Sequence, residues 1–92
     1  MRAPIVNHQP VVYYMTSEHG GVVKIGTTVN MPLRMKRFNR RHTEVTLTFQ
    51  ATEPGGLDVE KRRHKQFAHL NQVGEWFWLT PELQAWIDGL KA

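Results

Sequence analysis

Three segments of the chain predict β-strands: a run of β-branched and aromatic residues, the returning strand of a hairpin, and a segment in which apolar and polar residues alternate with a period of two. The first two strands, VVYYM after Pro10 and VVKIG, are separated by a turn at residues 18–21 and are expected to form a hairpin. The third strand is EVTLTFQAT, whose predicted buried face consists of Val45, Leu47, Phe49 and Ala51.

Three helices are predicted from apolar spacing and from end signals. They cover about residues 30–41, about residues 58–70 and, after a loop, a segment that begins at Thr80-Pro81. This order predicts an α/β fold of the α+β kind, in which a small three-stranded, mainly antiparallel sheet is flanked by helices. Residues 1–9 are expected to form an N-terminal arm, and residues 10–92 a single domain.

Composition excludes several classes of protein. The 92 residues include no cysteine, so disulfides and thiolate metal sites are excluded. The sequence shows no signal peptide and no run of about 20 apolar residues that would span a membrane. We therefore expect a cytoplasmic protein that has no membrane partner.

Positive charge is concentrated in two short segments of a chain whose net charge is +4. The first segment contains Arg34, Lys36, Arg37, Arg40 and Arg41. The second contains Lys61, Arg62, Arg63 and Lys65. Clustered cations suit a polyanion such as nucleic acid, although solvated helix faces have the same composition.

One carboxylate of the second predicted helix lies beside apolar residues. At 100° per residue, Glu60 and His64 fall near the side that carries Phe67 and Leu70. Glu60 could pair with an arginine of the first helix or bind a divalent cation, since magnesium needs only one or two protein carboxylates. His64 is expected to pack or to orient a neighbour, with a catalytic role as the alternative.

A tyrosine and a lysine share one face of the predicted hairpin. The turn places Tyr13 opposite Gly26 and Met15 opposite Lys24, so that Tyr13 and Lys24 are diagonal neighbours. They could form a simple surface pair. Alternatively, the cation could lower the pKa of the phenol, which is normally about 10, and allow it to accept a proton.

Short motifs on these elements resemble the GIY-YIG nuclease superfamily. The segments 11–13 (VVY) and 24–26 (KIG) resemble the paired motif that names it, and Arg34 stands ten residues beyond the start of the second motif. Glu60 and Asn71 match the family's later glutamate and asparagine. The E-x-x-x-H pattern of Glu60 and His64, followed by Glu-Trp-Phe at 75–77, resembles the short phage and bacterial branch.

This resemblance implies a GIY-YIG nuclease-like fold and an endonuclease that uses magnesium, or manganese, to hydrolyse phosphodiester bonds, with DNA favoured over RNA. Glu60 would hold the metal, Tyr13 would act as general base, and Arg34 would bind the phosphate. Lys24 and His64 would assist catalysis. Contacts that position the nucleic acid would come from Lys36, Arg37, Arg40, Arg41 and Asn71.

Several positions depart from the family pattern. Val11 replaces the glycine of the first motif and Lys24 the tyrosine of the second, while Thr27 and Phe38 replace a lysine and a tyrosine found in relatives. A nucleic-acid-binding module that does not cut is therefore the main alternative. A protein-interaction domain, in which Glu60 and Arg34 form a structural ion pair, is another.

The aromatic run at residues 76–78 is expected to place alternate members under the final helix rather than against nucleic-acid bases. Neither the oligomeric state nor the preference for duplex or branched substrates follows from the sequence.

Overall fold

The computed structural model of the protein describes residues 9–18, 20–41 and 47–92, and it includes the side chains of all of these except residues 37–41. The predicted arm, apart from residue 9, and the start of the third predicted strand lie outside the described residues. The elements are the strands β1 (Val11–Ser17), β2 (Val22–Thr28), β3 (Leu47–Pro54), β4 (Asn71–Val73) and β5 (Trp76–Trp78), the helices α1 (Met31–Arg41), α2 (Leu57–Gln66) and α3 (Pro81–Lys91), and a 3₁₀ turn (Ala68–Leu70).

The strands form one antiparallel sheet in the order β3-β1-β2-β5-β4. The prediction of a three-stranded sheet is therefore wrong: over the described ranges the fold is α+β with five strands and three helices. The additional strands, β4 and β5, come from the segment that was predicted to be a loop. Each is three residues long, which is too short for the alternation of side chains to be recognised.

The predicted hairpin register is confirmed, since Tyr13 pairs with Gly26 and Met15 with Lys24. This register divides the side chains of the hairpin between the two faces of the sheet. One face lies under α2 and α3 and forms the main core, which contains Val12, Tyr14, Val23, Ile25, Ala51, Phe67, Leu70, Phe77, Leu83 and Ile87.

The opposite face packs against α1. Tyr13, Met15 and Leu47 form a second buried cluster there, and Met31 and Met35 of α1 pack against it. The sheet therefore lies between α1 on one side and the α2–α3 layer on the other. The N-cap of α1 is Asn30, whose Oδ1 accepts a hydrogen bond from the Leu33 amide at 3.1 Å.

The prediction of one continuous buried face along the third strand is wrong. The pairing of β1 with β3 shifts register between Tyr14 and Met15. This bulge places Ala51 in the main core and Leu47 in the second cluster, while Phe49 remains 42% exposed. The same shift leaves Glu53, two residues after Ala51, buried at 7% exposure.

The second predicted helix is shorter than expected. Helix α2 ends at Gln66, and the chain continues as the 3₁₀ turn to Leu70. No helix among the described residues is long and apolar enough to cross a membrane.

Candidate active site on the sheet

Tyr13 lies directly over Gly26, its partner on β2. A Cβ atom added at Gly26 would be 2.5 Å from the Tyr13 hydroxyl oxygen and 2.9 Å from Oε1 of Glu75. The phenol, which is 2% exposed, and the Glu75 carboxylate therefore converge above a position where a side chain would collide with both. Only glycine leaves this space open.

Glu60 approaches the same end of β2 from helix α2. It is 8% exposed, and one of its oxygens, Oε1, accepts a hydrogen bond from the hydroxyl of Thr27, the residue after Gly26. Its other oxygen lies 3.5 Å from Nε2 of His64, one helical turn later. Glu60 is thus a nearly buried carboxylate held by a neutral hydroxyl and an imidazole.

His64 is fixed between strands β2 and β5. Its Nε2 lies 2.9 Å from the carbonyl oxygen of Ile25, and its ring centre is 4.9 Å from that of Phe77. These contacts position the His64 ring 3.5 Å from the Glu60 carboxylate, and its orienting and catalytic roles both remain predictions.

Burial and neighbouring charges determine the pKa of the Tyr13 phenol. Burial is the largest effect and, with the negative charges of Glu75 and Glu60, it raises the pKa of Tyr13 to about 12, while the positive charge of Arg34 acts in the opposite direction. Arg34 on α1 and Glu60 on α2 therefore both lie within electrostatic range of the phenol. The predicted lowering of this pKa by Lys24 is wrong.

Lys24 has a different partner. Its Nζ is 2.7 Å from Oε1 of Glu75 and 5.8 Å from the ring centre of Trp76, so that the ammonium group is shared between a carboxylate and an indole. Lys24 does share the sheet face with Tyr13, as predicted, but it neutralises Glu75.

Glu75 belongs to the site, although no chemical role was assigned to it from the sequence. The turn between β4 and β5 positions it: Gly74 has a φ of 56°, and the Glu75 carbonyl oxygen accepts a hydrogen bond from the Ile25 amide at 2.9 Å. The Glu-Trp-Phe motif at 75–77 was the available signal.

The predicted nucleic-acid contacts fall in two places. Lys36 is exposed on α1, and the side chains of Arg37, Arg40 and Arg41 in the same helix lie outside the described residues. Asn71 lies on β4, where its amide donates hydrogen bonds to the carbonyl oxygens of Gly74 (3.0 Å) and Trp76 (3.2 Å). Asn71 therefore stabilises the turn that carries Glu75, and its contact with nucleic acid stays a prediction.

The carboxylates of the site suit a hard cation that keeps most of its water. The described residues contain no group of three or more His, Cys, Asp or Glu side chains that could hold a metal ion. Glu60 and Glu75, however, both act on the Tyr13 phenol, and magnesium is bound through one or two carboxylates together with water and substrate phosphate. The residues present are compatible with a magnesium ion of that kind, and ligation by Glu60 stays a prediction.

A second polar network, on the opposite face of the sheet, was not predicted. Glu53 accepts hydrogen bonds from the Tyr14 hydroxyl at 2.5 Å and from two guanidinium nitrogens of Arg63 at 2.8 and 2.9 Å. The indole nitrogen of Trp86 donates to the Tyr14 hydroxyl at 2.9 Å, and the Arg63 guanidinium lies 4.6 Å from a Trp86 ring centre. We call these four residues the Glu53 network.

The Glu53 network changes the interpretation of Arg63. Burial acts to raise the pKa of Glu53, but the hydrogen bonds from Arg63 and Tyr14 and the positive charge of Arg63 outweigh it and lower that pKa below its usual value. Arg63, grouped from the sequence with the cations that suit a polyanion, is thus bound inside the protein.

The fold and the site together define a class: a small α+β domain that brings a tyrosine, an arginine and a glutamate from three different elements to one end of a sheet. The chain belongs to the T5orf172 domain family, whose profile matches residues 10–91. This is a phage-associated domain often linked to endonuclease-like proteins, which indicates a nuclease or nucleic-acid-related role. No curated protein and no solved structure matches the chain significantly.

Proposed function

We propose that this domain is a metal-dependent endonuclease of the GIY-YIG type that hydrolyses phosphodiester bonds of nucleic acid, with DNA as the favoured substrate. The observation that carries the proposal is the geometry at the Gly26–Thr27 end of β2. The buried Tyr13 phenol lies over Gly26 on one face, the Glu60 carboxylate bonds to Thr27 from the other face, and the charges of Arg34 and Glu60 both act on the phenol. Arg34, Glu60 and Tyr13 come from α1, α2 and β1, so their approach depends on the whole fold.

Each residue has a role that suits its chemistry. Arg34 binds the scissile phosphate, since a guanidinium forms paired hydrogen bonds with phosphate oxygens and stabilises the charge that develops on them. Glu60 holds the cation, and a magnesium ion bound there supplies Lewis-acid stabilisation of the phosphate. His64 and Thr27 keep the Glu60 carboxylate in a fixed orientation.

Tyr13 moves the proton of the attacking water. With a pKa of about 12, the phenol is protonated at neutral pH. This value already includes the lowering effect of Arg34, so proton acceptance requires further positive charge beside the phenol, which a cation held by Glu60 would supply. The Gly26 backbone keeps the space around the hydroxyl open.

A second candidate is a nucleic-acid-binding module that does not cut. Two observations favour it: the pKa of Tyr13 is raised rather than lowered, and the Lys24 ammonium is paired with Glu75. Such a module would bind nucleic acid in a salt-sensitive manner without metal and would leave it intact.

The test is the nicking of supercoiled plasmid at low salt, with magnesium or manganese and with EDTA. We expect metal-dependent nicking that falls by about a hundredfold or more in Glu60→Gln and in Arg34→Ala, because each removes charge stabilisation in the transition state. Glu82→Gln is the matched control, since Glu82 is an exposed α3 carboxylate that contacts only His69 among the ion pairs of the described residues.

The outcomes separate the candidates. Nicking that persists in Glu60→Gln would disprove the assigned metal ligand. A folded wild-type protein that binds plasmid without nicking it under any metal condition would favour the binding module.

A further inference from the structure

Strand β5 places its two tryptophans on the sheet face that carries Tyr13. Phe77 is buried in the main core at 1% exposure, which confirms for this residue the predicted packing under the final helix. Trp76 and Trp78, one residue to either side, project from the opposite face, and Trp78 is 48% exposed. Trp78 is the largest of the exposed apolar side chains among the described residues.

The two indoles belong to a continuous surface. Trp76 pairs with Lys24 on β2 and with Val73 on β4, and Trp78 pairs with Val22. Val73 is 63% exposed. We call Lys24, Val73, Trp76 and Trp78 the aromatic strip.

The aromatic strip starts at the proposed active site. Along β2, Gly26, Lys24 and Val22 alternate onto the same face, so that Trp78 lies four residues from the level of Gly26 and Tyr13. At 3.3 Å per residue this separation is about 13 Å, or a few nucleotides of a polynucleotide chain. Helix α1 packs on the β1–β3 part of this face through Met31 and Met35, and Trp76 is partly buried against the same cluster. Trp78 and Val73 are the exposed members of the strip, on the β5–β4 part.

We propose that the aromatic strip binds unpaired nucleotides beside the scissile phosphate, and that the substrate class is single-stranded or branched nucleic acid rather than continuous duplex. This inference rests on the proposed nuclease function and adds the substrate class to it. An exposed indole stacks on the face of any base, and such stacking tolerates all sequences. Bases inside a duplex already stack on each other, so their faces are accessible only after unpairing.

Charge and area favour a nucleotide chain over a protein partner. The chain carries a net charge of +4, which favours a polyanion, although Lys24 within the strip is itself paired with Glu75. A stable protein interface covers about 800 Å² on each partner, whereas the strip consists of four side chains and contains the Lys24–Glu75 ion pair.

The test is a comparison of binding to three fluorescent DNAs in EDTA: a single strand, a fork with one unpaired arm, and a blunt duplex. We expect Trp78→Ala to weaken binding to the single strand and the fork by about five- to fiftyfold, with less than a twofold effect on the duplex. Trp78→Phe keeps an aromatic face and should recover most of the affinity. Leu57→Ala is the matched control, because Leu57 is an apolar residue that is 67% exposed on α2.

Circular dichroism and thermal unfolding establish that each variant is folded. If Trp78→Ala weakens binding to all three DNAs equally, or to none of them, the proposed role of the aromatic strip is wrong. In that case, metal-dependent nicking that requires Glu60 would still support the nuclease proposal. A wild-type protein that binds none of the DNAs and does not nick plasmid would overturn both. If Trp78→Ala converts a dimer into a monomer in sedimentation experiments without changing DNA preference, the strip belongs to a second copy and the proposal is wrong.

Discussion

The Tyr13 side chain keeps its position because a glycine lies beneath it. The space occupied by its hydroxyl and by the Glu75 carboxylate is the space that a Cβ at Gly26 would fill. At the scale of single residues, the site therefore depends on a missing side chain as much as on those that are present.

Gly26→Ala should displace Tyr13 and reduce metal-dependent nicking by at least about tenfold, because small shifts of a catalytic group are costly. The methyl group would meet the hydroxyl oxygen at 2.5 Å, so the phenol must move. Gly89→Ala is the matched control: this helical glycine has nothing within 4 Å of the added carbon, and the change should stabilise α3 by about 0.5–1 kcal/mol. Equal activity of the two variants would contradict the assigned role of Gly26.

Tyr13 should also make stability depend on alkaline pH. Its pKa is about 12 in the folded protein and about 10 in the unfolded chain. The contribution of the phenol to the free energy of unfolding is therefore complete below pH 10 and is lost as the pH rises towards 12. Urea unfolding at pH 8 and at pH 11.5 should show a larger loss for the wild type than for Tyr13→Phe, by an amount on the order of 1 kcal/mol. An equal loss in both proteins would show that the phenol titrates normally.

At the scale of elements, the Glu53 network joins β3, β1, α2 and α3. Glu53 and Arg63 connect β3 to α2, and the Tyr14 hydroxyl bonded to Trp86 connects β1 to α3. Arg63 lies on the same helix as Glu60, three residues after it, so the network anchors the helix that carries Glu60.

Glu53→Ala should destabilise the fold by about 3 kcal/mol, because it leaves the Arg63 guanidinium without its carboxylate in a largely buried position. The lowered pKa of Glu53 gives a second test. The Glu53 carboxylate contributes to the free energy of unfolding above the usual carboxyl pKa of 4.5, and this contribution is lost as the pH falls below that value. Glu82→Ala breaks the exposed pair with His69 and should cost less than about 1 kcal/mol. Similar costs for the two variants in urea unfolding at pH 7 would contradict the network's role.

The sequence predicted those elements whose turns or N-caps lie within their own residues. The hairpin register followed from its turn, and the starts of α1 and α3 followed from Asn30 and Thr80, whose side chains do accept the expected hydrogen bonds. The family resemblance implies that Tyr13, Arg34 and Glu60 share one site; in the structure the charges of Arg34 and Glu60 act on the Tyr13 phenol, and their shared catalytic role remains a prediction.

The features that the sequence did not predict depend on contacts between segments that are distant in the chain. Strands β4 and β5 are formed by pairing with β2, and their three-residue lengths left no periodic signal, so Glu75 was not assigned to the site. The Glu53 network depends on the bulge in β3, which no local pattern indicated. The ion pair between Lys24 and Glu75 was not predicted for the same reason, because Glu75 comes from that unrecognised hairpin.

At the scale of the whole molecule, net charge would govern the approach to nucleic acid under the proposed function. The chain carries a net charge of +4, and α1 contributes the exposed Lys36 on the side of the sheet that bears the site. Association with a polyanion releases counterions, so affinity should fall steeply as salt increases.

Lys36→Ala should weaken binding to all sequences alike and reduce the slope of log affinity against log salt by about 1, since it removes one phosphate contact. Lys91→Ala is the control, because Lys91 lies on α3, in the layer on the opposite face of the sheet, and bonds to Gln50. Fluorescence anisotropy between 50 and 200 mM salt measures both slopes. A slope for Lys36→Ala that matches the wild type would exclude α1 from the contact.

The hydrogen bond between Trp86 and Tyr14 spans 72 positions of the chain, and Glu75 reaches its place through the backbone of Ile25. During synthesis these contacts can form only after the later segments have left the ribosome, since long loops must close before distant residues meet. Chains arrested at residue 74 lack Glu75, β5 and α3, and we expect them to show no nicking when assayed on stalled ribosomes. Under the proposed function, the newly made domain would leave the nucleic acid around it intact until β5 and α3 have been translated.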